Sequence, residues 1–455
     1  MTVLRAVFVL FGALLLLGLA IVESRGDDVL YASYGMDQPA VAQWDGVQWI
    51  PISIGLSGSS RYIWQIIQYN KYLVAGGSFT GIHGIPANNI AQWDPNTRTW
   101  SPLGAGITGE YAVVNCMVVF GDQLIVAGQF PTAGSTSANS IAKWNGTSWA
   151  QFGNARLSNQ TDRFDTLAAH NGEIYASGRI YYGETAYFDL ARWDAPSNRW
   201  LPVAACCGAS GSGVYAMAWH GWKMFVGGRG IWQGYDLDHS LSMWDGITWS
   251  PVAANFESDD NYPYILSLTV YRNRLVAAGH FTTVNYGNWS SGVYYIAEFD
   301  EARNYWWALD GGMDFTVQTT VVFDDKLIAG GWFSHAGSRT VDSIAQWNGV
   351  NWAPMGAGLE YPVVSLLVYN TSLASPAPTT SPTSPGEGPT PPEGSGATGM
   401  EPWLFAVIGA GAVLAVDFIL IVGYVYFRKQ RSHLKIHVGG SDGPYSQVNE
   451  PLINS

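Results

Sequence analysis

The chain repeats one short aromatic phrase about every fifty residues, and this repeat constrains its fold more than any other feature. The phrase reads IAQWDPNTRTWSPLGAG at residues 90–106 and IAQWNGVNWAPMGAG at residues 344–358. Its first aromatic position holds Trp44, Trp93, Trp144, Trp193, Trp244, Phe299 and Trp347, and its second holds Trp49, Trp100, Trp149, Trp200, Trp249, Trp306 and Trp352. A period of this length is typical of repeat proteins, whose units bury their faces only by stacking on one another.

Each repeat is predicted to contain four β-strands. In the third repeat the apolar runs VVNCMVVF (113–120) and QLIVAG (123–128) are followed by SIAKWN and SWAQF, which Asn145-Gly146 joins. An Asn-Gly or Asp-Gly pair supplies the positive φ that a two-residue hairpin turn needs. The paired aromatics are predicted to fill the wedge between neighbouring sheets.

The two ends of the repeat region complete each other. VLYAS (29–33) matches the second strand of a repeat that lacks its first strand, and YPVVSLLVYN (361–370) matches a first strand with nothing after it. Joined, they make one sheet and close the array, which protects most sheet edges. The sequence therefore predicts an all-β, seven-bladed β-propeller over residues 27–371, closed by its N- and C-terminal strands.

The flanking segments predict a single-pass type I membrane protein. Residues 1–26 place Arg5 before an apolar run, as in a secretory signal peptide, although an uncleaved anchor fits the same pattern. A Pro/Ser/Thr-rich stalk at 372–401 leads to a transmembrane helix at 402–427 and a basic-flanked cytoplasmic tail at 428–455. The expected location is the plasma membrane, reached through the secretory pathway, with endosomes or lysosomes as the alternative.

Several short signals accompany this topology. Asp417 lies deep in the predicted span, where it either pairs with a partner helix or is a tolerated single charge. Tyr445 and Val448 are the first and last residues of a YSQV motif of the type that clathrin adaptors bind. Export makes four Asn-x-Ser/Thr sequons usable as glycosylation sites: Asn145, Asn159, Asn288 and Asn370. Nothing basic is concentrated in the body of a chain with net charge −13, so nucleic acid is excluded as a partner.

The repeats resemble a known family. VAGG (74–77), FVGG (225–228) and IAGG (328–331), each with a later aromatic-Asp or Trp, are similar to kelch repeats, and the shorter W-[DN]-G-x-x-W form resembles the repeats of fungal cortical polarity-marker (bud-site-selection) membrane proteins. This resemblance implies the galactose-oxidase-like superfamily fold. Some members are copper oxidases, which need two histidines, two tyrosines and a cysteine. Here the histidines are scattered through the repeats without ligand spacing, so no metal, cofactor or catalytic residue is expected.

Three cysteines cannot all pair with one another. Cys206 and Cys207 are adjacent and form a strained disulfide with each other, or one of them pairs with Cys116, or the thiols stay free. The sequence leaves these alternatives open.

One position of the repeat holds side chains of different chemical types, although the residues around it recur from repeat to repeat. Directly after the glycine that ends each second strand stand Ser78, Gln129, Arg179, Arg229, His280 and Trp332. In a propeller these positions converge on one face, so Gln129, Arg179, Arg229, His280 and Trp332 are predicted to form a ligand-binding rim. The alternative is that they vary because nothing constrains a loop.

The sequence thus favours a cell-surface glycoprotein that is not an enzyme and whose extracellular propeller binds a protein or a glycan, in recognition, adhesion or cortical marking. A membrane-tethered oxidase or carbohydrate-active enzyme on the same fold is one alternative. An endolysosomal membrane protein delivered by the YSQV motif is another.

Overall fold

The computed structural model describes residues 28–374, apart from 36–39, 54, 154–162, 183–185, 204–212, 231–239, 253–254 and 287–289. Over these residues the protein is all-β: strands form eleven antiparallel sheets of two to four strands, and the one helical element is the 3-10 turn Thr371–Ala374. The predicted all-β class is confirmed. None of the described residues forms a helix that is both long and apolar enough to span a membrane. The predicted span at 402–427 lies outside them.

Seven of the sheets have four strands each, as the repeat predicts, and we number them I to VII. From first to fourth strand, sheet I is Val363–Tyr369, Val29–Tyr34, Ala40–Trp44 and Trp49–Ser53; sheet II is Tyr62–Tyr69, Tyr72–Ser78, Ile90–Asp94 and Thr99–Pro102. Sheet III is Val113–Phe120, Gln123–Gln129, Ile141–Trp144 and Trp149–Gln151; sheet IV is Phe164–His170, Glu173–Tyr182, Ala186–Asp194 and Arg199–Pro202.

The remaining three follow the same plan. Sheet V is Gly213–His220, Lys223–Arg229, Leu241–Trp244 and Trp249–Pro251; sheet VI is Tyr264–Tyr271, Arg274–His280, Ile296–Asp300 and Tyr305–Ala308. Sheet VII is Val317–Phe323, Lys326–Gly331, Ile344–Trp347 and Trp352–Pro354.

Four further small sheets were not predicted from the sequence. They consist of Leu56–Ser57, Gly81–Ile82 and Ile85–Pro86; Ile107–Thr108, Thr132–Ala133 and Thr136–Ser137; Asn255–Glu257, Thr283–Asn285 and Ser290–Gly292; and His335–Ala336 with Arg339–Thr340. Each lies in the loops that join second to third strands or one sheet to the next. Strands of two or three residues carry no readable hydrophobic period, which is why the sequence conceals them.

The first and last strands of the described region pair in sheet I, as predicted. Leu30 stands opposite Val368, and Ala32 stands opposite Leu366 in an antiparallel ladder. Leu30 and Ala32 are fully buried, and they pack with Leu366 in one apolar cluster. The prediction that the two termini complete one sheet is confirmed.

The first strands of the seven sheets lie side by side in a closed cycle. Each contacts the first strand of the next sheet, and that of sheet VII contacts that of sheet I. Polar side chains join these neighbours: Asn115 Nδ2 of sheet III donates to the carbonyl of Phe164 of sheet IV at 2.8 Å. Between sheets I and II, the Gln68 side chain exchanges two 2.8 Å hydrogen bonds with the backbone of Asn370.

The repeated aromatics are direct cross-strand partners. In all seven sheets the two positions of the phrase stand opposite each other, with ring centroids 4.9 to 5.6 Å apart. The indole N–H of Trp149 donates to the carbonyl of Leu103, which belongs to the preceding repeat, at 2.9 Å, and Trp352 makes the same bond to Leu309 at 2.8 Å. The aromatics therefore hold neighbouring sheets together, as the sequence predicts.

The tight turns between third and fourth strands differ from the prediction in one respect. In the Asn-Gly and Asp-Gly turns only the glycine has positive φ, as at Gly146 (φ 97°), whereas the longer turns of sheets II, IV and VI have Arg98, Asn198 and Asn304 at positive φ. The side chain of the Asn or Asp before the glycine instead accepts backbone hydrogen bonds: Asn145 Oδ1 receives the N–H groups of Thr147 and Ser148 at 2.9 and 2.8 Å. Asx side chains that bond their own turn favour this arrangement.

The sheets have two distinct ends. At one end of the sheets the first strands begin and the second strands end. We call this end the bulge face, because the first strands of sheets II to VII carry a β-bulge there. We call the opposite end the turn face, because tight turns there join first to second and third to fourth strands. The last strand, Val363–Tyr369, runs from the bulge face to the turn face, so the chain leaves the sheets at the turn face.

Candidate functional site

A glycine shapes the bulge face in each of sheets II to VII. A Cβ on any of Gly77, Gly128, Gly178, Gly228, Gly279 and Gly331 would come closer than 3.0 Å to a backbone carbonyl oxygen of the neighbouring first strand. Opposite each glycine the first strand carries a β-bulge, which leaves one residue out of register. Bulges bend a strand and redirect the side chains beside them. The glycines are thus required by close backbone approach.

The residue after each of these glycines occupies the same place in every sheet. The backbone N–H of Arg179 donates to the carbonyl of Arg163 at 2.9 Å, and that of Trp332 donates to Thr316 at 2.9 Å. Ser78, Gln129, Arg229 and His280 pair with the first residue of the neighbouring strand. The structure therefore brings all the sequence-predicted rim residues to equivalent positions on the bulge face.

In sheet V the rim residue meets an aromatic ring from the next sheet. The guanidinium carbon of Arg229 lies 4.9 Å from the ring centroid of Tyr262, whose side chain is exposed. A guanidinium over an aromatic face is a favourable cation–π contact. Beside the pair lies an open pocket of about 600 Å³, lined mainly by polar residues that include Asn255, Glu257 and Asn261.

His280 of sheet VI is held from several sides. Its Nδ1 is 2.9 Å from Thr316 Oγ1, its Nε2 is 3.2 Å from Asp260 Oδ2, and its ring stacks on Tyr264 at 5.1 Å. The ring of Phe315 lies 6.3 Å away in an edge-on arrangement. The hydroxyl of Ser258, followed by the backbone N–H of Tyr262 and by His280, lowers the pKa of Asp260. The imidazole of His280 is therefore held between the loop that contains Asp260 and the loop that contains Phe315 and Thr316.

Trp332 of sheet VII stands at the edge of a second pocket. The indole is 42% exposed, and the pocket beside it has a volume of about 610 Å³. Asp342, Ser334 and Glu360 also line it. Both pockets lie between a rim residue and the loop that leads to the next sheet, so they are the same feature in two repeats.

At sheet IV the bulge face carries both carboxyl and guanidinium groups. Arg163 and Asp165 form an ion pair of 2.7 Å. Burial raises the pKa of Asp165, against the opposing effect of Arg163. Burial also raises the pKa of Asp189 to about 7, an effect that Arg179 reduces and Asp165 increases. Two carboxyls and two arginines therefore share this region, and one carboxyl titrates near neutral pH.

The raised pKa of Asp189 makes stability depend on pH. The folded state holds this proton more tightly than the unfolded state, so the free energy of unfolding falls as pH rises from about 4 through about 7. Asp189→Asn should remove this fall in the free energy of unfolding, because asparagine does not ionise. After allowance for solvent screening of a half-exposed group, we expect a gain of about 1–2 kcal/mol at pH 8 and none near pH 4. Thermal unfolding at both pH values measures it.

Asp122→Asn is the matched control, because Asp122 is an exposed carboxyl on the turn face. Its unfolding temperature should follow that of the parent at both pH values. An equal gain for Asp189→Asn at pH 4 and pH 8 would show that the charge of the carboxylate is not the cause.

The remaining predicted sites divide between the turn face and the undescribed residues. Asn145 is exposed in a turn, and Asn370 follows the last strand, so both sequons lie at the turn face. Cys116 is a free, buried cysteine, and burial raises the pKa of its thiol. Asn159, Asn288, Cys206, Cys207, Asp417, Tyr445 and Val448 lie outside the described residues, as do residues 1–26 and 375–455. No group of three or more His, Cys, Asp or Glu side chains within the described ranges is arranged to hold a metal ion.

Sequence reasoning missed the aromatic partners of the rim. Tyr262 and Phe315 come from the loops just before the first strands of sheets VI and VII. A signal was available, because an aromatic stands one or two positions before several first strands, as Tyr111 and Tyr361 also do. Their relation to Arg229 and His280 appears only when neighbouring sheets are set side by side.

Neither a protein-family model nor a curated protein matches the chain. Among solved structures it is similar to the crystal structure of the computationally designed Ika8 protein, with 11% sequence identity and a TM-score of 0.39 over 73% of this chain and 89% of that chain. A TM-score this low does not establish a shared fold.

Proposed function

We propose that sheets I to VII are the blades of a seven-bladed, kelch-like β-propeller. Two observations support it: the first strands contact one another in a closed cycle, and the two terminal strands share sheet I. The first strands would then line a central channel, and the bulge face would be one of its two mouths. The repeated VAGG, FVGG and IAGG segments, which resemble kelch repeats, end at the bulge glycines Gly77, Gly228 and Gly331.

We further propose that the protein is a single-pass type I cell-surface glycoprotein whose extracellular domain binds a protein or glycan through the bulge face. The signal-like N-terminus, the stalk and the apolar segment at 402–427 support this topology. The last strand, Val363–Tyr369, ends at the turn face, opposite the bulge face.

One observation carries the binding role. The bulge glycines keep the backbone constant in six sheets, while the next position holds serine, glutamine, arginine twice, histidine and tryptophan. Arg229 and Trp332 each line an open pocket of about 600 Å³. A rigid frame that presents varied polar and aromatic side chains beside pockets is typical of binding sites on repeat folds.

The test is a binding screen with the full-length chain on cells, using arrays of secreted proteins and of glycans. For a partner found there, Arg179→Ala together with Arg229→Ala should weaken binding by about tenfold or more, because both arginines lie on the proposed surface. The control replaces two basic residues of the turn face, Arg199→Ala and Lys326→Ala, and should leave the affinity unchanged. Equal affinity of both double variants would contradict a rim at the bulge face.

A further inference from the structure

Three neighbouring sheets present aromatic rings on the bulge face. We call this surface the aromatic arc and define it by Arg229, Tyr262, His280, Phe315 and Trp332. Arg229 lies over Tyr262, and His280 packs edge-on against Phe315, so each rim residue of sheets V and VI meets the loop that leads to the next sheet. Trp332 is the rim residue of sheet VII. Tyr262, Phe315 and Trp332 are 57%, 49% and 42% exposed.

The side chains of His280 and Phe315 are held in place before any ligand arrives, and Tyr262 and Trp332 are held through their backbones. The backbone N–H of Tyr262 donates to Ser258 Oγ at 3.0 Å and to Asp260 Oδ1 at 3.1 Å. Asp260 in turn holds His280, whose other nitrogen is bound by Thr316 beside Phe315. Trp332 is tied through its backbone to the same Thr316. Because ordering side chains costs free energy on binding, the rings of His280 and Phe315, which already contact their neighbours, favour affinity.

The pockets at the two ends of the arc contain polar side chains. The pocket next to Tyr262 offers the side chains of Asn255, Glu257 and Asn261, and the pocket next to Trp332 offers Asp342 and Glu360. Apolar ring faces flanked by hydrogen-bond acceptors and donors match a pyranose ring, which has C–H faces and a hydroxyl edge. Protein interfaces also use exposed aromatics and arginine, but their buried centres are depleted of other charged residues. Glu257, Asp342 and Glu360 line the two pockets beside Tyr262 and Trp332, which favours a glycan over a protein surface.

The charge around the arc narrows the class of glycan. Glu257, Asp342 and Glu360 line the two pockets, whereas Arg229 is the one cation among the described residues that line them. These carboxylates would repel sulfated or sialylated chains. They can accept hydrogen bonds from the hydroxyls of uncharged sugars.

We propose that the aromatic arc binds a neutral glycan, with successive pyranose rings stacked over Tyr262, Phe315 and Trp332. This inference rests on the proposed ligand-binding function and names its ligand class. The two pockets, of about 600 and 610 Å³, hold sugar residues at either end of the arc, with His280 and Phe315 between them.

The experiment measures binding of the full-length chain, purified in detergent, to neutral tetrasaccharides of glucose, mannose, galactose and N-acetylglucosamine, with heparin and polysialic acid as acidic counterparts. We expect one or more neutral tetrasaccharides to bind and the acidic glycans to be inert. Trp332→Ala, Phe315→Ala and Tyr262→Ala should each raise Kd by about three- to tenfold, the range expected for loss of one stacked ring.

Trp222→Ala is the matched control, because Trp222 is a 69% exposed indole on the turn face. All four residues are at least 42% exposed, so unfolding temperatures should stay close to the parent value. Neutral glycans that bind with equal affinity to all four variants would overturn the proposal, as would binding of acidic glycans alone. If the chain binds only proteins, the glycan assignment fails while the ligand-binding function stands.

Discussion

A chain that lacks its last strand, Val363–Tyr369, should fail to form stable sheets. Deletion removes the first strand of sheet I and leaves the ladder of Val29–Tyr34 without its partner. Val363, Leu366 and Tyr369 are almost fully buried, and burial of side chains of this size contributes about 1.5–3 kcal/mol each. Their sum approaches the whole stability of an ordinary domain, about 5–15 kcal/mol. Neighbouring sheets I, II and VII would also lose contacts.

The measurement is thermal unfolding of the purified full-length chain, followed by tryptophan fluorescence. The deletion variant should show no cooperative transition, whereas an equal deletion inside the stalk, within residues 376–399, should unfold like the parent. A complementary variant joins the strands: Ser33→Cys with Ser365→Cys places two thiols at directly opposed positions. A cooperative transition in the deletion variant, or failure of this disulfide to form, would contradict the closure of sheet I.

Replacing one bulge glycine should be the most damaging conservative point change. A Cβ at Gly77 would overlap the carbonyl oxygen of Tyr62 and crowd the backbone of Ile63. Because the opposing atoms belong to the backbone, relief requires strand Tyr62–Tyr69 to move away from its partner. We expect Gly77→Ala to lower the free energy of unfolding by about 3 kcal/mol, the upper part of the range for overpacking.

Gly121→Asn provides the comparison for this glycine. Gly121 has φ 60° in a tight turn, with nothing within 4 Å of a Cβ, and the equivalent turn of sheet II uses Asn70 at φ 53°. Gly121→Asn should therefore lower the free energy of unfolding by less than about 1 kcal/mol. Chemical denaturation of both variants gives the two values. Similar losses would mean that backbone conformation, rather than close approach of the strands, explains the glycine at position 77.

Much of the fold can be predicted from the sequence because the same strand pairing, with its pair of aromatic residues, recurs in seven sheets. Trp144 and Trp149 are cross-strand partners for the same reason as Trp347 and Trp352: a short turn fixes the register between them. The pairing of Ala32 with Leu366 also follows, since an incomplete repeat at each end leaves one missing strand. The small sheets do not follow, because strands of two or three residues are too short to show a hydrophobic period, even though the hairpin loops at 79–90, 130–141 and 333–344 have the same length.

The candidate site was only half predictable. The position that holds Arg229 and Trp332 stands out because its neighbours repeat and it does not. Tyr262 and Phe315 could not be assigned, since their partners come from a different repeat and the contact depends on how neighbouring sheets lie together. The turns show a similar limit: composition indicates a turn at Asn145-Gly146, but it does not reveal that the Asn side chain bonds the turn while Gly alone takes positive φ.

Sheet I has a consequence for biosynthesis. Gln68 and Asn370, which hydrogen-bond across its border, are 302 residues apart in the chain. On the ribosome, strand Val29–Tyr34 emerges first but receives its partner last, so one backbone edge stays unpaired through nearly all of translation of this region. An open edge recruits strands from other nascent chains, and long-range pairing is slow. Arrival of Val363–Tyr369 is therefore the step that ends the period of aggregation risk.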